Sequence, residues 1–230
     1  MKSWIEFWDS DHAVYVNDRH KLLHACQVGR DIVRHIPTPH AVVLDHGCGE
    51  ALYAADVAAH CSRLLLCEAA DGLRDKLARR VAGISNIEVL DPAGVERLAP
   101  GSIDLVVANS LVQYLTRDQL FALLALWRAK LRPDGVLVVA DIVPPGVTPI
   151  ADAAALLRFA WKGGFLFGAI AGLIRTALSD YGKVRRQFGF ATYKEADFIE
   201  MLAAGGLRGE RIRPNFGHNP NRMTFRAVPA

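Results

Sequence analysis

The stretch Val42-Val43-Leu44-Asp45-His46-Gly47-Cys48-Gly49-Glu50-Ala51 decides the architecture. Its apolar, β-branched opening reads as a strand buried on both faces. Two glycines one residue apart follow, and then a helical pattern, ALYAADVAAHC. Glycines at such a turn let the backbone approach a ligand with no side chain in the way. In an open parallel sheet the turn lies at the carboxyl ends of the strands, where ligands bind.

The same alternation continues on either side. RLLLCE (63–68), NIEVL (86–90), IDLVVAN (103–109) and GVLVVAD (135–141) are further strand candidates, with AVVLD (41–45) as the first. Helical patterns such as DGLRDKLARRV and RDQLFALLALWRAKL separate them. Apolar strands alternating with helices imply a parallel sheet covered on both faces. A helix of about 18 residues is expected before the first strand. Asp18 is its N-cap, Leu22, Cys26, Gly29, Ile32/Val33 and Ile36 form one face, and Pro37 and Pro39 stop it. Pro144-Pro145 open an insert that runs to about residue 190. Thr192-Tyr193-Lys194-Glu195 then matches a capping box, starting a helix that ends at Gly205-Gly206. RGERIRP, FGHNPN and RMTFRAV read as a closing hairpin.

The composition bounds the function. The chain has 230 residues, 51% of them hydrophobic and 22% charged, which suits one globular domain with a full core. Twenty-seven basic against 24 acidic residues give a net charge of +3, too mild to argue for nucleic acid. Cys26, Cys48, Cys61 and Cys67 lack C-x-x-C spacing, so neither a zinc nor a redox site is expected. Scattered thiols, and an N-terminus MKSWIEFWDSD unlike an export signal, suggest a cytoplasmic location. No apolar run reaches the length of a transmembrane helix.

The ligand class follows from what the glycine turn lacks. Gly47 and Gly49 fit a G-x-G-x-x-G dinucleotide fingerprint, but the third position is Leu52. Asp45 at the strand end would repel a pyrophosphate, and no G-K-[ST] follows. A phosphate-free ligand with a cationic part is expected. Glu68, 21 residues after Gly47, can accept both hydroxyl protons of a ribose.

VLDHGCGEA, Glu68, IDLVVANSLVQYL and LRPDGVLVVAD resemble the class I S-adenosylmethionine-dependent methyltransferases over roughly residues 40–142. The C-terminal helix and hairpin match the family's end. The resemblance implies a Rossmann-like α/β fold, a seven-stranded, mostly parallel sheet flanked by helices, with the last strand antiparallel. It implies a single methyltransferase domain over 1–230, with an N-terminal helical cap (1–39) and a helical insert (about 145–190). The family pattern is close to D-x-G-C-G-x-G, and its last glycine is Ala51 here, small enough for binding to survive. After the third strand, Ala93 stands at the family's acidic place, with Asp91 two residues earlier.

The same resemblance implies S-adenosyl-L-methionine as cofactor and assigns its contacts. The backbone from Gly47 to Gly49, with His46, Cys48 and Ala51, lies against it, and Asp45 stands near the methionine portion. Glu68 and Ala69 hold the ribose. Adenine falls to Gly94 and Val95 through their backbone, with Asp91 beside them. Asn109 and Ser110 line the methionine and the methyl, and Gln113 and Tyr114 face the acceptor. FWDSDHAVYVNDRH folds over the cofactor in the family, which makes Tyr15, Arg19 and His20 candidates, Arg19 as partner of the cofactor carboxylate. An ordinary surface helix start is the competing reading. The hairpin carries His218, Asn219, Asn221 and Arg222; His218 is a candidate base for a hydroxyl acceptor, and Asp141 a second. A polar hairpin tip with no role is the plainer alternative.

The insert bears on the acceptor. Gly163 to Ile174 is an uncharged stretch of 12 residues between Lys162 and Arg175. It is short for a membrane span and suits a buried or interfacial element. On one helix, Gly164, Gly168 and Gly172 would form a smooth packing stripe. A roof of this kind favours an apolar acceptor such as a quinone, a lipid precursor or an aromatic metabolite, with Phe165 and Phe167 against it. A core or dimer-interface helix is the other reading. From Arg175 onward ten basic and five acidic residues give a net +5, suited to an anionic membrane surface. The expected partner is thus a small-molecule acceptor and not nucleic acid, with peripheral membrane contact and a homodimer left open. The alternatives are a non-catalytic S-adenosylmethionine-binding module, or a protein or RNA methyltransferase.

Overall fold

The structure, a computed structural model, describes residues 15–178 and 191–230. The outer parts of the expected cap and insert, residues 1–14 and 179–190, lie outside the described residues. The elements run α1 (Asp18–Val33), β1 (Val42–His46), α2 (Ala54–Ala58), β2 (Arg63–Cys67), α3 (Asp71–Val81), β3 (Ile87–Leu90), α4 (Pro92–Arg97) and β4 (Ile103–Asn109). A 3-10 turn (Val112–Tyr114) leads to α5 (Arg117–Lys130), β5 (Leu131–Ile142), α6 (Pro149–Gly163), α7 (Leu166–Leu178), α8 (Glu195–Ala204), β6 (Leu207–Ile212) and β7 (Met223–Pro229).

The seven strands lie in the order β3-β2-β1-β4-β5-β7-β6. The first five are parallel, and β7 is antiparallel to both β5 and β6. This is the fold expected from the sequence. The order turns back between β1 and β4, so their following loops leave to opposite sides and open a crevice at the carboxyl edge. Strand alternation divides the core. Val43, Leu64, Leu66, Leu105 and Val107 pack on one face with α1 and α2, and Leu44, Leu65, Val106 and Trp127 on the other. Each such side chain, fully removed from water, contributes about 1.5–3 kcal/mol before the entropy of ordering is subtracted.

Several element boundaries differ from the expectation, each for a local reason. The N-cap of α1 is Asn17, whose side chain accepts from the N–H of His20; Asp18 is the first helical residue. The inner face of α1 is His20, Ala25, Val28, Gly29, Asp31 and Ile32, which turns Leu22 outward at 56% exposure. A Cβ at Gly29 would stand 2.6 Å from that of Tyr53, so this helix meets the glycine loop only through glycine. The helix after β1 shrinks to Ala54–Ala58, because Gly47, Gly49 and Ala51 have positive φ and hold the chain out of helix. Thr192 caps nothing: Tyr193 donates its N–H to the Val143 carbonyl, the segment stays extended, and α8 starts after Lys194.

The insert is two helices, not one. Gly164 closes α6 in the left-handed conformation (φ 70°), and the Phe165 N–H returns to the Ala160 carbonyl at 3.0 Å. Gly164 therefore lies outside α7. Gly168 and Gly172 do form a small-residue stripe, and it receives the chain just before α1. A Cβ at either would come within 2.3 Å of Asn17 or Val16. Val16, Ala160, Phe165 and Ala169 make a separate small core there. Among the described residues no helix is long and apolar enough to cross a membrane.

Candidate active site

The glycine loop is held open from below by its neighbours. The N–H groups of Gly47 and Cys48 both donate to the Cys67 carbonyl, at 2.8 and 3.1 Å. Glu68, 8% exposed at the end of β2, accepts the Gly49 N–H on Oε2 (3.0 Å) and the Ala70 N–H on Oε1 (2.9 Å). Each carboxylate oxygen keeps a second lone pair for a ligand hydroxyl. A Cβ at Gly47 would press on Leu111 at 3.0 Å, whereas one at Gly49 would project into open space. That opening is where a ligand can lie against bare backbone. Ala51, at the family's third glycine, adopts φ 40°, a strained conformation that alanine tolerates at a cost of about 1 kcal/mol. Cys48 is buried beside the loop, and Ala69 is half-buried next to Glu68.

Asp45 and His46 point to opposite faces of β1. Asp45 is buried and accepts the Tyr53 hydroxyl at 2.5 Å on one oxygen. Burial first, then the charge of Glu68, pushes its carboxyl up to about 7. His46 faces the other core and accepts the Trp127 indole N–H at 3.1 Å; burial lowers its pKa to about 4. Its side chain is a support beneath the loop and is not turned to the cleft. Tyr53 was not foreseen; an aromatic eight residues after a strand-end aspartate was the available signal.

At the next strand ends, Asn109 is half-buried and Ser110, at φ 55°, donates to Asp141 Oδ2 at 2.8 Å. Asp141 also has φ 59° and faces Arg222 Nε at 4.0 Å. Burial raises its pKa, while Arg222 and Ser110 oppose the rise. Asp141 thus accepts a hydrogen bond from Ser110 on one oxygen and faces the charge of Arg222 with the other. Arg222 forks onto Asp152 of α6, with Nη2 at 2.9 Å from both oxygens, and Asn219 donates to the same carboxylate at 2.8 Å. Asn221 donates only its backbone N–H, to Asn219. Asp152 also went unforeseen, although an acid at the start of an otherwise apolar and basic stretch, 151–178, was a legible signal.

Two expected cofactor contacts also make bonds within the fold. Arg19 Nε donates to the Gly163 carbonyl at 2.5 Å, satisfying the C-terminal end of α6, where carbonyls lack helical partners. Asp91 caps α4: its Oδ1 accepts the Gly94 N–H at 2.6 Å and its carbonyl the Val95 N–H at 3.3 Å. Both N–H groups are thus hydrogen-bonded within the cap of α4.

Beside the crevice stands a cluster of rings. His20 stacks on Phe165 (centroids 5.4 Å apart), His218 stacks on Phe159 (4.6 Å), and Tyr15 meets His20 edge-on at 5.3 Å. His24 and His218 bring their Nδ1 atoms to 3.4 Å. Burial lowers His20 and His218 to about 4 and His24 to about 3, so all three are neutral near pH 7. Burial also raises Tyr15 to about 12, helped by Glu50 and Asp141. Glu50 itself pairs with Lys21 at 2.6 Å. Gln113 is buried and Tyr114 half-buried on the 3-10 turn. His20 Nε2, Gln113 Oε1 and Arg222 Nη1 are buried polar atoms with no hydrogen-bond partner. Phe165 is 6% exposed, but Phe167 is 88% exposed on the outer side of α7, turned to water. The residues after Phe165 turn with the helix, so consecutive phenylalanines cannot share one face.

The described residues thus combine an open α/β sheet, a glycine loop of bare backbone and a carboxylate with lone pairs to spare at the carboxyl edge. A family model described as a methyltransferase domain matches residues 43–135. No curated protein matches the chain. Among solved structures it is similar to magnesium protoporphyrin IX methyltransferase from Synechocystis PCC 6803 with bound SAH. The TM-score is 0.59 at 14% identity, covering 99% of this chain and 93% of that one. It is similar also to the YcgJ protein of Bacillus subtilis (TM-score 0.58, 12% identity, 81% of this chain and 70% of that one). A third is DhpI in complex with SAH (TM-score 0.60, 13% identity, 98% and 95%). At these identities the likeness is one of fold. The matched segment and the sheet order give the chain the Rossmann-like fold of methyltransferases, and S-adenosyl-L-methionine is the cofactor that the sequence resemblance implies. The residues present fit that cofactor: carboxylates and bare backbone line the loop, and a Cβ at Gly49 would occupy the cradle.

Proposed function

We propose that the protein methylates a small, largely apolar molecule bearing a proton-bearing nucleophile, bound beneath α6 and α7. The observation that carries this is the orphaned Nε2 of His20, buried in the aromatic cluster that Phe159 and Phe165 form with it. A buried polar atom without a partner costs about 1–3 kcal/mol, so an acceptor that pairs with it gains affinity there. The chain Ser110–Asp141–Arg222–Asp152 supports the same placement, because it ties α6 to the ends of β4 and β5.

When bound, the cofactor supplies an already activated methyl group. The protein's residues then have to position the nucleophile and keep water out. Glu68 holds the ribose, Asp45 faces the cationic methionine end, and the Gly47–Gly49 backbone sets their depth. His218, neutral, takes the proton from a hydroxyl acceptor, while His20, whose Nδ1 accepts the Val16 N–H at 3.4 Å, carries its proton on Nε2 and donates it in a hydrogen bond to the acceptor. Asp141 is the weaker candidate base, since Ser110 and Arg222 already use its oxygens.

The test is transfer of a labelled methyl group into a cell extract fractionated into organic-soluble compounds, water-soluble metabolites, protein and RNA. Label in the organic-soluble fraction supports the proposal. Label in protein or RNA favours a macromolecular acceptor. Cofactor binding without any transfer makes the chain a non-catalytic binding module.

A further inference from the structure

We propose that the outer surface of α6 and α7 docks on an anionic lipid bilayer, so that the apolar acceptor is drawn from a membrane. Six large hydrophobic side chains are exposed among the described residues, and five of them lie on these two helices. Trp161 is 74% exposed, Phe167 88%, Ile170 45%, Ile174 60% and Ile150 80%. Phe167, Ile170 and Ile174 recur at helical spacing, so α7 presents an apolar face to water opposite the face that carries Ala169 and Gly172. A helix that is apolar on both sides needs a second covering.

The charges say which covering. Arg158 and Lys162 are exposed beside Trp161, and with Leu157 and Leu166 they line a shallow cleft of about 380 Å³ between the helices. The only carboxylate on either helix, Asp152, is held by Arg222 and Asn219. An isologous dimer through this face would therefore bring cations to cations with no acid to answer them. Lipid phosphates answer them, tryptophan favours the headgroup level, and lysine and arginine stems lie along apolar surface while their heads reach outward. The inference rests on the apolar-acceptor reading for its purpose, but its geometry stands without it.

The test uses the full chain with neither cofactor nor acceptor. Flotation is measured with phosphatidylcholine vesicles, alone and with about one-third phosphatidylglycerol. Binding to the anionic vesicles only, weakened by salt, is expected. Trp161→Ser/Ile174→Ser and Arg158→Gln/Lys162→Gln should each weaken it by about tenfold or more. Both doubles change exposed side chains, so S-adenosylhomocysteine affinity should be retained, which shows that they fold. Absence of vesicle binding overturns the proposal. So does light scattering that finds a dimer which Trp161→Ser/Ile174→Ser splits, since the face is then an interface between copies. Failure of the methyl-transfer test with vesicle binding intact would remove the apolar-acceptor reading and leave the docking surface.

Discussion

Glu68 accepts the backbone N–H of Gly49 across the mouth of the crevice, at 3.0 Å. The carboxylate that is to hold the ribose therefore also fixes the loop on which the cofactor lies. Glu68→Gln keeps the shape and turns one acceptor into an NH₂ that cannot receive Gly49 or Ala70. A hydrogen bond to a charged group contributes roughly 1.5–3 kcal/mol, so S-adenosylhomocysteine affinity should fall about 10- to 150-fold. Calorimetry on a variant with native circular dichroism checks this; unchanged affinity would place the ribose elsewhere.

Asp45 should make cofactor binding depend on pH. Its carboxyl sits at about 7 in the folded protein, raised mainly by burial, and near 4 when unfolded. The folded state therefore holds more protons in that window, and this group's contribution to stability falls as pH climbs from about 4 to 7. A cationic ligand favours the ionised form. Affinity should rise with pH up to and slightly beyond 7, and binding near pH 7 should release a proton, visible as a buffer-dependent enthalpy. Asp45→Asn should lose that dependence and bind more weakly. It should also gain about 2–4 °C in Tm per kcal/mol of relieved burial cost at pH 8. A flat affinity from pH 5.5 to 8.5 would go against the role.

The histidines act in the opposite sense. His20, His24 and His218 have folded pKa values of about 4, 3 and 4, below the ordinary 6.5. Their stabilising neutrality is complete above 6.5 and is lost as pH falls from there toward 4. Each group contributes up to about 1.4 kcal/mol per pH unit in that window. Acid titration followed by tyrosine and tryptophan fluorescence should show loss of structure beginning below 6.5. His20→Phe, which keeps a ring against Phe165, should shift that onset to lower pH.

Arg222 and Asp152 form a partly buried pair, and truncating one partner leaves the other uncompensated. Arg222→Ala should cost about 3–5 kcal/mol, measured by urea unfolding. An Arg222→Leu/Asp152→Leu double variant should recover much of this. If the pair positions the roof over the acceptor, the double should still bind S-adenosylhomocysteine but turn over acceptor poorly. Full turnover would reduce the pair to a structural tie.

How much of this was legible in the sequence depends on the range of the interaction. The sheet was legible because each buried strand carries its own pattern, as IDLVVAN does in β4. The glycine loop was legible because it is local to one strand-turn-helix unit, and Glu68 because it ends the very next strand. Competition from tertiary partners was not. Thr192 has the right neighbours for a cap, yet the Val143 carbonyl captures Tyr193 first. Arg19 could have met a carboxylate, but the end of α6, 144 residues away, offers a carbonyl. The ring cluster joins α1, α6, α7 and the final hairpin, and no pattern in one segment announces it.

The most direct measurement is calorimetric titration of the purified protein with S-adenosylhomocysteine, with a nicotinamide dinucleotide as control. Binding at one site in the micromolar range, on the order of −8 kcal/mol, is expected, with the dinucleotide silent. No binding of S-adenosylhomocysteine or S-adenosylmethionine, together with tight binding of the dinucleotide, would contradict the assignment of the Gly47–Gly49 loop and Glu68.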